Sequence, residues 1–424
     1  MDSSTIVGID IGTTKVCTLV GREEPPSAGV ETPQLRILGM GVEPSQGLRK
    51  GVIVDLAAAS QAILRSVQKA EHTAGMEITS ALVSLAGSHV SSVNSRGVVG
   101  VTGRTIASDD IDRAVDSARA VAIPHNREVI HVIQRGFTVD GQDGIRTPIG
   151  MHGYRMEVEC HIITAAAATV ENLRQCVADA GVEVSQFVLN PLASGEVVLT
   201  DTERQMGVVV CDMGGGTTDI AICIDGDVWH TAVLPVGGNH ITSDIAHLLR
   251  LPLSQAEELK LQHGHALRAE VPPEEFFNTR PFGEENPLEI NRQEFCHIIE
   301  ARVEEIFSLV LQEIKRSGYD GLLPAGMVLT GGSSLLPGIR TLAGRVLGIP
   351  VRIAKPENLL GLVDKLDSPA YSTSVGLLRW AQLMRVVTPQ GPGPDPYRRR
   401  NSAADEGGIV NWQKVKNFLR RLLP

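Results

Sequence analysis

Two stretches of this 424-residue chain repeat one pattern: an apolar strand ending in aspartate, a glycine-bearing turn, and a second apolar strand. The first is TIVGID, IGTT and KVCTLV at residues 5–20; the second is GVVVCD, MGGGTT and DIAICI at residues 207–224. Asp10 and Asp212 end the leading strands and lie 202 residues apart. Short β-branched runs bounded by glycine read as strands joined by a turn. A chain this long exceeds what one core holds, and duplication of one α/β domain is the economical source of the repeat.

The turns carry the chemistry. Glycine lets a backbone take positive φ and approach an anion closely, so that successive N–H groups point at it. Gly12, Thr13, Thr14 and Lys15 in one turn, and Gly214, Gly215, Gly216, Thr217 and Thr218 in the other, are the candidate phosphate donors. Asp10 and Asp212 are placed to hold Mg2+ through water, since that ion prefers oxygen and keeps much of its shell. Taken alone, the first turn fits a tight hairpin without ligand equally well. Three consecutive glycines in the second weaken a strand pair unless something needs close access. A third segment, MVLTGGSSLLPGI at 327–339, reads strand, turn, helix, with Gly331, Gly332 and Ser333 as a nucleoside-binding turn or a plain β–α connection.

Between the repeats, residues 55–74 carry a helical pattern and 78–85 a strand. Residues 86–163 hold their own strand–helix–strand series and read as an insertion. Ser108, followed by Asp109, Asp110 and Asp112, is the expected N-cap of its helix. Ile111, Ala114, Val115, Ala118, Val121 and Ala122 are expected on that helix's apolar face.

Six cysteines are scattered through apolar runs without a CxxC, which predicts reduced core thiols rather than a disulfide or zinc framework. A net charge of −10 argues against nucleic acid as the main partner. No basic, apolar leader and no stretch of roughly 20 apolar residues is present, so a cytoplasmic chain is expected.

The charge is uneven. Residues 397–424 carry seven Lys and Arg against Asp405 and Glu406. After a Pro- and Gly-rich linker at 388–408, residues 409–424 become periodic again. On a helical projection Trp412, Val415, Phe418, Leu419, Leu422 and Leu423 share one arc of about 140°. Lys414, Arg420 and Arg421 fall opposite, with Lys416 at the boundary. Such a basic amphipathic helix lies in the headgroup layer of an anionic membrane, or else packs on the protein's own core or on a partner.

Together the two turns and the 327–339 segment resemble the actin/Hsp70/sugar-kinase superfamily. Within it, GYRMEVECHIIT (153–164), SDIAHLL (243–249), KLQHG (260–264), LTGGSSLLPGI (329–339) and YSTSVGLL (371–378) resemble the FtsA family of bacterial cell-division proteins. The resemblance implies an α/β fold of duplicated actin-like (ribonuclease H-like) domains flanking a nucleotide cleft. It divides the chain into 1A (1–85, 164–200 and 369–387), an inserted 1C (86–163), 2A (201–250 and 325–368) and 2B (251–324). It further implies ATP and Mg2+ in the cleft with Lys260 near the nucleoside, self-association into actin-like protofilaments, and 2B binding the C-terminal peptide of the tubulin-like FtsZ. Arg292 and Glu294 are the candidates for that contact. Later division proteins would bind 1C, and the helix at 409–424 would hold the chain to the cytoplasmic face of the inner membrane at the division site.

One departure concerns turnover. Where Hsp70-like relatives place a Glu-Pro acid, this chain reads LNPLAS at 189–194, and Asn190 cannot serve as a general base. ATP binding with slow hydrolysis is therefore expected. A small-molecule kinase of the same superfamily is the alternative, and a chaperone is disfavoured because no β-rich peptide-binding domain follows residue 385.

Overall fold

The computed structural model describes residues 5–24, 34–120, 123–284 and 286–387. The helix expected at 409–424, like Val121 and Ala122, lies outside the described residues. Two β-sheets with the same internal order dominate. The first runs Glu183–Leu189, Ser80–Leu85, Thr5–Ile11, Lys15–Glu24, Gln34–Pro44, with Leu359–Gly361 added at its edge. The second runs Val351–Ile353, Met327–Thr330, Val208–Met213, Thr218–Ile224, Asp227–Leu234. In each, the leading strand pairs antiparallel with its hairpin partner and parallel with the next strand of its lobe. The duplication read from the two Asp-Gly hairpins is thus carried through five strands on each side.

Both leading strands are buried at every position. That explains their uninterrupted apolar runs, since strands covered on both faces lose the polar alternation of an exposed sheet. On one face of the first sheet lies the helix Leu56–Ala74, capped by the Asp55 carboxylate accepting from Ala58 N at 3.0 Å and ended by Gly75 in the left-handed conformation. It sits close to the strand Gln34–Pro44: a Cβ built on Gly41 would meet the Ser66 carbonyl oxygen at 1.9 Å.

Residues 91–166 supply a separate antiparallel sheet in the order Ser91–Gly100, Arg155–Ala166, Arg127–Val139, Gln142–Ile145. The helix Ser108–Arg119 buries Ile111, Ala114, Val115 and Ala118 against it. Its N-cap is Ala107, not Ser108. The Asp110 carboxylate reaches back to accept from Ala107 N at 3.0 Å, which satisfies the helix start from the third helical residue. This sheet also touches the second lobe. His161 Nε2 lies 2.9 Å from Thr231 Oγ1, and Ser92 Oγ donates to the Thr231 carbonyl at 2.9 Å.

The lobes share an apolar core beneath the helix Asn190–Val198, where Leu189, Leu192, Val208, Val210, Ala221 and Val328 meet. That helix crosses Ser372–Val387 closely, because a Cβ on Gly376 would fall 1.9 Å from the Ala193 carbonyl oxygen. Residues 251–324 hold the helices Leu253–His263 and Arg292–Ser317 with the small hairpin Phe276–Thr279 and Leu288–Asn291. All six cysteines are buried and free, as expected.

Candidate functional site

The two glycine turns meet face to face. A Cβ on Gly215 would stand 2.4 Å from Thr14 Cγ2, and one on Gly216 would stand 2.4 Å from Thr13 Oγ1. Only glycine permits this approach, so the residues that read as phosphate donors are also those that let the lobes come together. Within each turn the leading glycine closes the hairpin: Gly12 N donates to Lys15 O at 3.0 Å, and Gly214 N to Thr217 O at 2.9 Å.

The aspartates before the turns are buried and anchored by neighbouring residues of one helix. Ser374 Oγ donates to Asp10 Oδ2 at 2.6 Å, and Thr373 Oγ1 donates to Asp212 Oδ2 at 2.6 Å. Burial pushes the Asp212 carboxyl up to about 6; the Thr373 hydrogen bond opposes this and the Asp10 charge adds to it. Asp219, paired with Asp212 in the hairpin register, is raised well above the usual carboxylate range by its own burial and then by the Asp212 charge. Its Oδ2 accepts from Thr217 Oγ1 at 3.0 Å, while its Oδ1 makes no hydrogen bond. The Lys15 ammonium donates to Ala370 O and lies 4.5 Å from the centre of the Tyr371 ring. Buried carboxylates with one cation nearby make a site electrostatically fitted to a divalent cation. Among the described residues, no group of three or more His, Cys, Asp and Glu side chains forms a ligand cluster.

The third turn packs on the second. Ser333 Oγ donates to Gly214 O at 2.9 Å, and a Cβ on Gly331 would strike Asp212 Oδ1 at 2.4 Å. Gly332 lies beside Ala370. Gly237 and Gly238, which sequence reasoning passed over, begin the helix Gly238–Leu249 at this junction. Gly238 N donates to Gly214 O at 3.0 Å and Asn239 N to Gly215 O at 2.8 Å, docking the helix start under the second turn. Lys260 Nζ donates to Gly238 O at 3.3 Å, to Thr242 Oγ1 at 2.9 Å and to Glu257 at 2.7 Å, so it belongs to the same wall.

Not every sequence candidate faces the junction with a free donor. Thr218 Oγ1 donates to the Val236 carbonyl at 2.8 Å in a fully buried position, and Thr217 donates to Asp219. Thr13 and Thr14, beside the opposing glycines, remain the hydroxyl candidates of the pair of turns. Thr242, Glu257, Thr373 and Asp219 are site residues the motif reading did not single out. Arg292 and Glu294 begin the helix Arg292–Ser317, tied to Glu275 and to Arg268 respectively, and Arg292 also donates to the His263 carbonyl. Asn190 begins the bridging helix, and its Oδ1 makes no hydrogen bond.

Comparisons with known proteins agree with this architecture. Residues 209–376 match the family model described as cell division protein FtsA, and residues 87–164 match that of the SHS2 domain inserted in FtsA. Cell division protein FtsA of Pseudomonas aeruginosa is 43% identical over 375 residues, covering 88% of both chains. The FtsA of Neisseria meningitidis is 39% identical over 405 residues, covering 95% of this chain and 96% of the relative. That of Escherichia coli K12 is 37% identical over 388 residues, at 90% and 91% coverage. Among solved structures, the PilM–PilN type IV pilus biogenesis complex shares the fold with a TM-score of 0.64 at 16% identity, over 89% of this chain and 98% of that one. MreB5 of Spiroplasma citri bound to ADP does so with a TM-score of 0.55 at 16% identity, over 91% and 98%. With an actin-like fold, an inserted SHS2 module and these relatives along most of its length, the chain belongs to the FtsA family of cell-division proteins.

Proposed function

We propose that the junction of the two glycine turns binds ATP with Mg2+, and that the loaded protein assembles with itself and ties the FtsZ ring to the cytoplasmic membrane. The observation that carries the nucleotide reading is the pairing of two abutting turns with two carboxylates held by Thr373 and Ser374. Backbone N–H groups of Gly12–Thr14 and Gly214–Gly216 would grip phosphate oxygens from both lobes. Asp10 and Asp212 would hold the ion through its waters, with Lys15 as a cation whose charge reaches Asp212. Bound Mg2+ supplies charge neutralisation to the phosphates. Lys15 is positioned on the first-lobe side to add a further positive charge. The 331–333 turn, with Thr242, Glu257 and Lys260, forms the wall we assign to the nucleoside.

In the sequence Asn190 stands where Hsp70-like relatives carry an acid, and an amide cannot take the proton. Turnover is therefore expected to be slow, and nucleotide acts as a structural clasp that fixes the lobes for self-association. We assign FtsZ peptide binding to residues 251–324, around Arg292 and Glu294, and binding of later division proteins to the inserted sheet. Residues 409–424 are assigned to anionic inner-membrane lipid at the division site. No helix of the described residues is long and apolar enough to cross a membrane.

Liposome flotation tests the anchoring part. The full chain is expected to float with vesicles containing phosphatidylglycerol and to carry FtsZ with it, whereas a chain ending at Val387 stays in solution. Equal flotation of both would remove the membrane role.

A further inference from the structure

A cavity of about 720 Å³ opens where the inserted module and both lobes meet, and none of the glycine-turn residues lines it. Its walls are largely aliphatic and aromatic: Phe137 comes from the inserted sheet, Leu192 and Trp380 from the two bridging helices, and Ala221 and Val228 from the second sheet. Met384, in the last turns of the helix Ser372–Val387, also lines it. The buried Trp380 Nε1 makes no hydrogen bond, although an indole N–H in a protein interior ordinarily finds an acceptor. Volume and lining are those of a ligand pocket rather than of a packing defect, which rarely exceeds a water molecule.

The chain leaves the described body beside this cavity. Beyond Val387 stand 37 residues, and the last 16 of them carry the amphipathic pattern. A linker of 21 residues (388–408) has an r.m.s. reach of roughly 25 Å. Tethering at that range raises the local concentration of the terminal segment to roughly millimolar, so even a weak site would be occupied. Off the membrane, the six apolar side chains that share an arc would otherwise face water, which no solvated surface favours. The cavity lining offers partners for the basic face as well. Asp112 and Asp227 line it; burial pushes Asp227 up to about 7 against the opposing charges of Arg146 and Arg135, and a further cation would lower it again. Of the arginines lining it, the buried Arg204 is already paired with Glu196, and Arg146 donates to the Asp225 carbonyl; Arg119 lies 3.8 Å from Asp116.

We propose that, away from lipid, residues 409–424 fold back and insert apolar side chains into this cavity, so that self-docking and membrane binding compete for one segment. The inference rests on the reading of that segment as lipid-binding. Because the walls belong to both lobes, the docked segment also fixes the lobes relative to each other, and its release to lipid frees the cleft to rearrange.

The test uses the full chain. Hydrogen–deuterium exchange is measured on wild type and on Trp412→Glu/Phe418→Glu, without lipid and with phosphatidylglycerol/phosphatidylethanolamine vesicles. Segments 130–137 and 380–387 should exchange more slowly in lipid-free wild type than in the variant, and vesicles should abolish the difference. Met384→Lys, which sets a cation against a basic segment, and Leu192→Trp, which fills the cavity, should each tighten vesicle binding. The gain is about tenfold if the free segment is exposed only a tenth of the time. Met384 is half-buried, so this variant keeps the test informative should Leu192→Trp fail to fold. Identical exchange in wild type and tail variant, with unchanged vesicle affinity in Met384→Lys, would overturn self-docking while leaving the lipid role intact. Loss of vesicle binding in wild type would instead remove the lipid role. Protection that grows with protein concentration would mean that a second copy's tail is the occupant, and would also overturn the intrachain contact.

Discussion

Thr373 Oγ1 donates to Asp212 Oδ2 across 2.6 Å, joining the last helix of the first lobe to the leading strand of the second over 161 residues of chain. The adjacent Ser374 does the same for Asp10, so one helical turn orients both buried carboxylates. Thr373→Val keeps the shape and removes the donor. A hydrogen bond to a charged group contributes about 1.5–3 kcal/mol, so Mg-ATP affinity measured by titration with a fluorescent ATP analogue should fall roughly 10- to 100-fold. Unchanged affinity would mean that Asp212 needs no such orientation.

Gly331 has φ of 86° and ψ of 162°, a conformation that side-chain-bearing residues rarely adopt. Its missing Cβ also leaves room for Asp212 Oδ1 and for the Met213 carbonyl, at 2.4 and 2.6 Å. Gly331→Ala should cost about 1–3 kcal/mol in urea unfolding and displace the Asp212 carboxylate, weakening nucleotide binding along with stability.

At Gly376 the crossing of the bridging helices leaves no space for a methyl group, with the Ala193 carbonyl oxygen 1.9 Å and its carbonyl carbon 2.3 Å from the built Cβ. The obstacle is backbone, which yields little. Gly376→Ala should lower stability by about 1–3 kcal/mol or more, read as a shift in the urea midpoint at unchanged slope. A neutral result would show that the two helices slide apart freely.

His161 links the inserted sheet to the second lobe, with Nδ1 2.6 Å from Asn94 Oδ1 and Nε2 2.9 Å from Thr231 Oγ1. Burial, and after it the neighbouring His230, Arg135 and His131 charges, push its imidazole down to about 3. The unfolded chain takes up this proton near the ordinary value of about 6.5, so between about 6.5 and 3 the unfolded state binds more protons. Stability therefore rises with pH through that window and falls on acidification. His161→Gln should flatten the dependence by up to about 1.4 kcal/mol per pH unit, measured as unfolding free energy at pH 7 and pH 5. His131, pushed by burial to about 4, supplies part of the slope that remains. An identical slope in both proteins would contradict the assignment.

The duplication was legible because its signal is local: apolar run, aspartate, glycine, within a dozen residues each time. The same locality made the helix Leu56–Ala74 and the insertion readable. What escaped was set by distant chain. Nothing near Thr373 or Ser374 announces partners 161 and 364 residues away. Gly237 and Gly238 look like an ordinary helix start until Gly214 and Gly215 are seen accepting from the next N–H groups. The Ser108 cap failed for a different reason: Asp110 satisfies the same start from inside the helix, with Ala107 as the capping position. The threonines of the second turn read as equivalent donors, yet Thr218 is engaged by Val236, a contact that depends on the chain just after the neighbouring strand Asp227–Leu234.

The central claim, that two opposed glycine turns and their aspartates clasp one magnesium-bound nucleotide, is tested most directly by calorimetric titration of the full chain with ATP, with and without Mg2+. The expected result is one ATP per chain, dependent on Mg2+ and lost in both Asp10→Ala and Asp212→Ala variants that still fold. Absence of binding at any Mg2+ concentration, or binding that neither substitution weakens, would contradict it.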